Sequence, residues 1–217
     1  MKRLIIICEG PTEVEFCKDV LYTHFFNKGI TIQTPLIKKS GGGIVSWDVL
    51  KTQIEKHLLE TGVIVTTLID YYGIPDKYNY PNWQKAREMV NPSDRMDLLE
   101  QGMMDDISED VRFRFLPYIQ LHEFEGLLFN DMAVFDRHIA PNEFENRQEL
   151  EDTISDNPNP ELINNNPTSA PSKRLMRLIK GYNKIVYGSI LAESLGLKKI
   201  RDKSPRFNQW MEKLEQI

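Results

Sequence analysis

Two cysteines in 217 residues are too few for a disulfide framework, and Cys8 and Cys17 have no metal-ligand spacing, so both are expected to be small core residues. Long apolar runs are also missing. The first, Leu4 to Cys8, falls far short of the roughly 20 residues that span a bilayer and lacks the length of a signal-peptide core. A cytoplasmic protein with no membrane partner is expected. No internal repeat occurs, and no G-x-x-x-x-G-K-[ST] phosphate loop, so any ATP dependence must come from another chain.

What is present suits an ordinary folded domain: 41% of residues are hydrophobic, enough for one generous core. The net charge of −5 hides an asymmetry. From Thr168 onward eleven Lys and Arg face four acids, a net of +7, which leaves −12 for the preceding residues. An acidic body able to hold divalent cations, joined to a basic tail able to meet phosphates, is what a metal-dependent enzyme acting on nucleic acid needs. The plainer reading is that the two halves simply attract each other or that the basic face is solvated.

The run Leu4 to Cys8, closed by Glu9-Gly10-Pro11, reads as a strand buried on both faces. A helix follows, with Thr12 and Glu15 spaced as a capping box and Val14, Cys17, Leu21 and Phe25 on its inner face. A second strand is expected over Ile30 to Ile37, and a helix capped by Ser46 with a Val45/Leu50 staple. Val63 to Ile69, closed by Asp70, is a third strand. Helices are expected near Gln84 to Met89 and through Met96 to Ile107, then a strand over Arg112 to Leu121 and a helix opening at His122-Glu123-Phe124-Glu125. This alternation predicts an α/β fold, a mostly parallel sheet flanked by helices. The Pro- and Asn-rich stretch 155–171 divides a body, 1–154, from a basic helical C-terminal subdomain, 172–217, packed on the core.

Three expected strand ends deliver carboxylates: Glu9 with Glu13, Asp70, and Glu123 with Glu125. In a parallel sheet those ends share one edge. Crowded carboxylates repel one another unless cations neutralise them, and Mg²⁺ (or Mn²⁺), which takes oxygen ligands and substrate phosphates, is the natural partner. Each acid also has a plainer use at a helix start or a turn. Tyr71, Tyr72, Tyr78, Tyr80 and Trp83 either stack on unpaired bases or rigidify a long loop. Lys38, Lys39 and Gly41 to Gly43 form a weak phosphate-cradle signal, and Lys173 either neutralises charge on a phosphate or is one more solvated cation.

The segments ICEGPTE, LIDYYGIP, LHEFEGLLF, SAPSKR and GYNKIVYGSILAESLGL together resemble a bacterial family of unknown function assigned to the Toprim-like (Rossmann-like) superfamily, related to the overcoming-lysogenisation-defect nucleases and anti-phage Toprim proteins. The resemblance implies Mg²⁺-dependent phosphodiester chemistry. Glu9 would be a metal ligand or general acid/base and Asp70 a metal ligand, with Glu13 joining them as in the nuclease branch. One position departs from the family pattern: the second acid of Asp-x-Asp falls on Tyr72, a poor Mg²⁺ ligand, which leaves Glu123, Glu125 or Asp76 to supply the missing oxygen. Two functions are therefore expected in competition. One is a nuclease of DNA or RNA, tRNA included, serving anti-phage defence with an SMC/ABC-type ATPase partner. The other is a non-catalytic binding or regulatory subunit of such an ATPase.

Overall fold

A computed structural model describes residues 1–38, 43–163, 166 and 169–217. The apolar runs become strands as expected. They are β1 (Lys2–Cys8), β2 (Ile30–Gln33) and β3 (Val63–Asp70), joined by two short strands, β4 (Phe115–Leu116) and β5 (Ile119–Gln120). The sheet has the order β2-β1-β3-β4, with β5 also on β3, and every pairing is parallel.

β1 alternates between two cores because successive strand residues point to opposite faces. Leu4, Ile6 and Cys8 join one buried cluster; Ile5 and Ile7 join the other. The second face is covered by α3 (Trp47–Leu58), α4 (Trp83–Glu88) and α5 (Pro92–Asp105). The first face takes α1 (Pro11–Phe16), a π-helical turn (Cys17–Leu21) and α2 (Tyr22–Asn27), and also α6 (Met132–His138) and α7 (Arg147–Asp156). The tail helices α8 (Pro171–Leu178), α9 (Lys184–Lys203) and α10 (Pro205–Glu215) complete it, burying Leu175, Leu191, Phe207 and Trp210 in the same cluster as β1.

Several local expectations need correction. The first helix is capped by Gly10 and Glu13 rather than by Thr12 and Glu15: Pro11 fixes the first helical position, and the Glu13 carboxylate reaches back to the Gly10 N–H at 2.8 Å. The second strand stops at Gln33. Only an isolated bridge, Leu36 to Cys8, continues it. The strand expected over 112–121 is a 3₁₀ turn (Arg112–Arg114) and two short pieces that flank Pro117, which has no N–H to donate to a ladder. Phe124–Leu128 is a 3₁₀ turn, not an α-helix. The stretch 155–171 is not bare linker: it holds the end of α7 and a 3₁₀ turn (Pro160–Leu162) whose Glu161 is 1% exposed and accepts from the N–H groups of Arg206 and Phe207 at 2.9 and 3.0 Å. Residues 39–42, which hold most of the expected phosphate cradle, and 164, 165, 167 and 168 of the linker lie outside the described residues.

The basic tail is largely paired with the acidic body. Lys199 pairs with Asp131, Arg177 with Glu149, Arg206 with Asp97 and Glu100, and Lys184 with Glu125. Attraction between the halves is thus realised in the fold. No helix among the described residues is long and apolar enough to cross a membrane.

Candidate acidic site at the sheet edge

Strand register brings the first two acids together. Cys8 pairs with Leu68, where β1 ends while β3 runs on to Asp70, and the Glu9 N–H donates to Leu68 O at 3.1 Å. The Glu9 carboxylate then accepts from the Asp70 N–H at 3.0 Å. Asp70 in turn pairs in β5 with Gln120, and its Oδ1 accepts from the Phe124 N–H at 2.9 Å. Glu13, held by Gly10, is 2% exposed, and Glu125 is fully buried. Among the described residues no hydrogen bond occupies Glu9 Oε1, Glu13 Oε1, Asp70 Oδ2 or Glu125 Oε2.

These carboxyls share one electrostatic neighbourhood. Burial pushes Glu9 up from 4.5 to about 7, and the charges of Glu125 and Glu123 add to the push. Glu13 rises likewise to about 7, through burial first and then Glu125 and Glu9. Asp70 is held well above the usual carboxylate range by burial and by Glu9, Glu13 and Glu125. Each is opposed by the same cation, Lys184.

Lys184 is the site residue that sequence reading missed. It opens α9, capped by Asn183, whose side chain accepts from the Ile185 and Val186 N–H groups. Its ammonium lies 2.9 Å from Glu125 Oε1. Burial acts to lower its pKa, but Glu125, Asp70 and Glu13 outweigh this and the lysine is raised. Gly188 permits this placement: a Cβ there would stand 3.0 Å from Thr12 Cγ2, so α9 sits close against α1. The only available signal was the location of Lys184 within the segment GYNKIVYGSILAESLGL, since no spacing relates it to Glu125.

Other candidates are placed differently. Both Glu123 oxygens are occupied by Ser172, which donates its N–H to Oε2 at 2.8 Å and its hydroxyl to Oε1 at 3.0 Å; Glu123 thereby ties the start of α8 to the sheet edge. Burial also raises its pKa. Lys173 is exposed and makes no hydrogen bond or ion pair among the described residues. Asp76 accepts from Trp83 Nε1 at 2.9 Å and pairs with Arg87. Tyr72 donates its N–H to His122 O at 2.9 Å. The aromatic loop is packed: Tyr80 and Trp83 are buried, with ring contacts Trp47–Tyr80, Tyr71–Trp83 and Tyr80–Trp83. Tyr71, Tyr72 and Tyr78 of the same loop are half-buried.

His122 has φ of 65°, an uncommon left-handed conformation for a residue with a side chain. It turns the chain between β5 and Phe124, whose N–H must reach Asp70. Burial and the nearby Arg95 charge depress its pKa to about 4. His122→Val should therefore destabilise the fold by about 1–3 kcal/mol more than His122→Gly, which tolerates positive φ. Equal urea midpoints for the two variants would show that this turn is not constrained.

Among the described residues no group of three or more His, Cys, Asp or Glu side chains is arranged to hold a metal ion. The donors nevertheless suit a hard divalent cation: they are all carboxylate oxygens, and one of them, Glu125 Oε2, is buried with no hydrogen-bond partner. An unpaired buried carboxylate oxygen is costly to leave, and a cation is one way to satisfy it.

Fold and site thus define an α/β protein with a five-stranded parallel sheet that gathers acids and one lysine at the carboxyl edge. The family model for a domain of unknown function, DUF4276, matches residues 8–215, and the chain belongs to that family. Nothing among curated proteins or solved structures matches it.

Proposed function

We propose that the protein is a Toprim-like nuclease that hydrolyses phosphodiester bonds of DNA or RNA, tRNA included, with Mg²⁺ or Mn²⁺, in an anti-phage system beside an SMC/ABC-type ATPase. The observation that carries the reading is the convergence of Glu9, Glu13, Asp70 and Glu125, from three separate chain segments, on one lysine. A purely structural edge has no need of several repelling carboxylates.

Glu9, Glu13, Asp70 and Glu125 would hold the cation, which when bound supplies Lewis acidity and an activated water. The backbone N–H groups of Asp70, Gly10 and Phe124 orient three of the carboxylates. Glu9, whose carboxylate accepts from the Asp70 N–H at 3.0 Å, would serve as a ligand or as the general acid/base. Lys184, half-exposed at the cluster, is better placed than Lys173 to offset charge on a phosphate.

A non-catalytic binding subunit is the second reading. Tyr72 at the second acid position and the full engagement of Glu123 by Ser172 favour it, since both reduce the number of free ligands. Incubation with Mn²⁺ or Mg²⁺ and a panel of single-stranded DNA, duplex DNA and tRNA separates the two. Cleavage that falls at least about a hundredfold in folded Glu9→Ala and Asp70→Ala variants supports the nuclease. Absence of cleavage, with no metal-dependent rise in thermal stability, supports the binding subunit.

A further inference from the structure

Lys184 poses a question that the nuclease reading leaves open. An ammonium group set against a buried carboxylate does what a bound cation would do. Its Nζ lies 2.9 Å from Oε1 of Glu125, a residue with no solvent exposure, while Oε2 of the same carboxylate has no hydrogen-bond partner. Among the described residues, Lys184 is the cation that opposes the raised pKa of Glu9, Glu13 and Asp70 alike. The Lys184 side chain keeps 46% of its surface exposed, so it can leave toward solvent without unpacking α9. A single positive charge is also too little for four acids, so the cluster remains under-neutralised with the lysine in place.

We propose that Lys184 is a resident counter-cation that competes with a divalent metal for Glu125, so that metal entry and release of the Lys184 ammonium are coupled. This rests on the metal-site reading above. Two cations cannot share the unscreened approach to Glu125 without repelling each other, and a divalent ion with oxygen ligands is the stronger neutraliser of carboxylates. Once released, the half-exposed ammonium remains beside the cluster on the first turn of α9, free to meet an anionic phosphate. Lys184 thereby offsets part of the cluster's charge in the metal-free protein, and phosphate-binding charge becomes available only when metal is present.

The test uses the full chain and Mn²⁺ alone, at pH 8.5 under argon, where protons compete little for the carboxylates. Mn²⁺ binding is followed by electron paramagnetic resonance for the wild type and Lys184→Met. In parallel, acetic anhydride labelling of the wild type, read by peptide mass spectrometry, reports the reactivity of the Lys184 amine with and without Mn²⁺. We expect Lys184→Met to bind Mn²⁺ at least about tenfold more tightly, and Lys184 labelling to accelerate severalfold when Mn²⁺ is added. Should the variant fail to fold, the labelling of the wild type decides alone. Mn²⁺ binding that is unchanged or weaker in Lys184→Met, or labelling indifferent to Mn²⁺, overturns the competition while leaving the metal site standing. No Mn²⁺ binding by the wild type overturns the metal site and this inference with it.

Discussion

Without divalent cation, the protein is expected to lose stability as pH rises from about 4.5 to about 7, and to regain it when Mg²⁺ or Mn²⁺ is added. The sign follows from proton binding. Glu9 and Glu13 hold their protons up to about pH 7 in the folded state, against 4.5 for the ordinary group. Between those values the folded protein binds more protons than the unfolded chain, so stability is greatest below the lower value and falls as pH climbs through the upper one. One carboxyl shifted this far contributes about 3 kcal/mol across the window. The two effects do not simply add, because protonating one acid relieves the other. His122 works in the opposite direction, since its depressed pKa makes stability rise between about 4 and 6.5. The clean measurement is therefore a difference: urea unfolding in EDTA, from pH 4.5 to 8, of the wild type and Glu9→Gln, which share His122. The wild type should fall more steeply, and saturating Mg²⁺ at pH 8 should restore it more than the variant. Parallel curves for the two proteins would show that Glu9 is not held among repelling charges.

A second large effect is expected at Arg206. Its guanidinium lies 2.6 Å from Glu100 Oε1 and also pairs with Asp97, with side-chain exposures of 7% for Arg206 and 11% for Glu100. Glu100 also accepts from the Ile119 N–H at 2.9 Å, linking α5, β5 and α10. Burial already raises the Glu100 pKa despite the arginine. Arg206→Ala leaves that carboxylate without its counter-charge and should cost about 3–5 kcal/mol by urea unfolding at pH 7. Lys199→Ala, which breaks the exposed pair with Asp131, should change stability by about 1 kcal/mol or less. Replacing both buried partners, as Glu100→Gln with Arg206→Met, should recover much of the loss. Arg206→Ala behaving like Lys199→Ala would show that the tail does not rely on this buried pair.

The legibility of the fold varied with how local its causes are. Leu4 to Cys8 and Val63 to Ile69 announce buried parallel strands because every residue in such a strand meets a core, so apolarity runs without interruption. α3 already ends at Leu58, and Gly62, at φ of 71°, turns the chain just ahead of β3. The segment 112–121 misled because its strand-like composition conceals what Pro117 does to the ladder. The aromatic loop after Asp70 was ambiguous in sequence because its neighbours come from α3 and α5: Trp47 meets Tyr80, and Arg95 lies over Tyr71.

The sequence by itself determined the α/β alternation and the positions of acids at strand ends, because periodicity and the abrupt change from apolar run to carboxylate are local properties. It also determined that Glu13 lies one turn from Glu9. Only the tertiary structure decided which of those acids remain free. Ser172, 49 residues from Glu123, occupies both oxygens of that carboxylate. Lys184 reaches Glu125 from α9, which packs against α1 with Gly188 close to Thr12. Charge pairing across the fold depends on distances that packing sets, and no pattern along the chain encodes them.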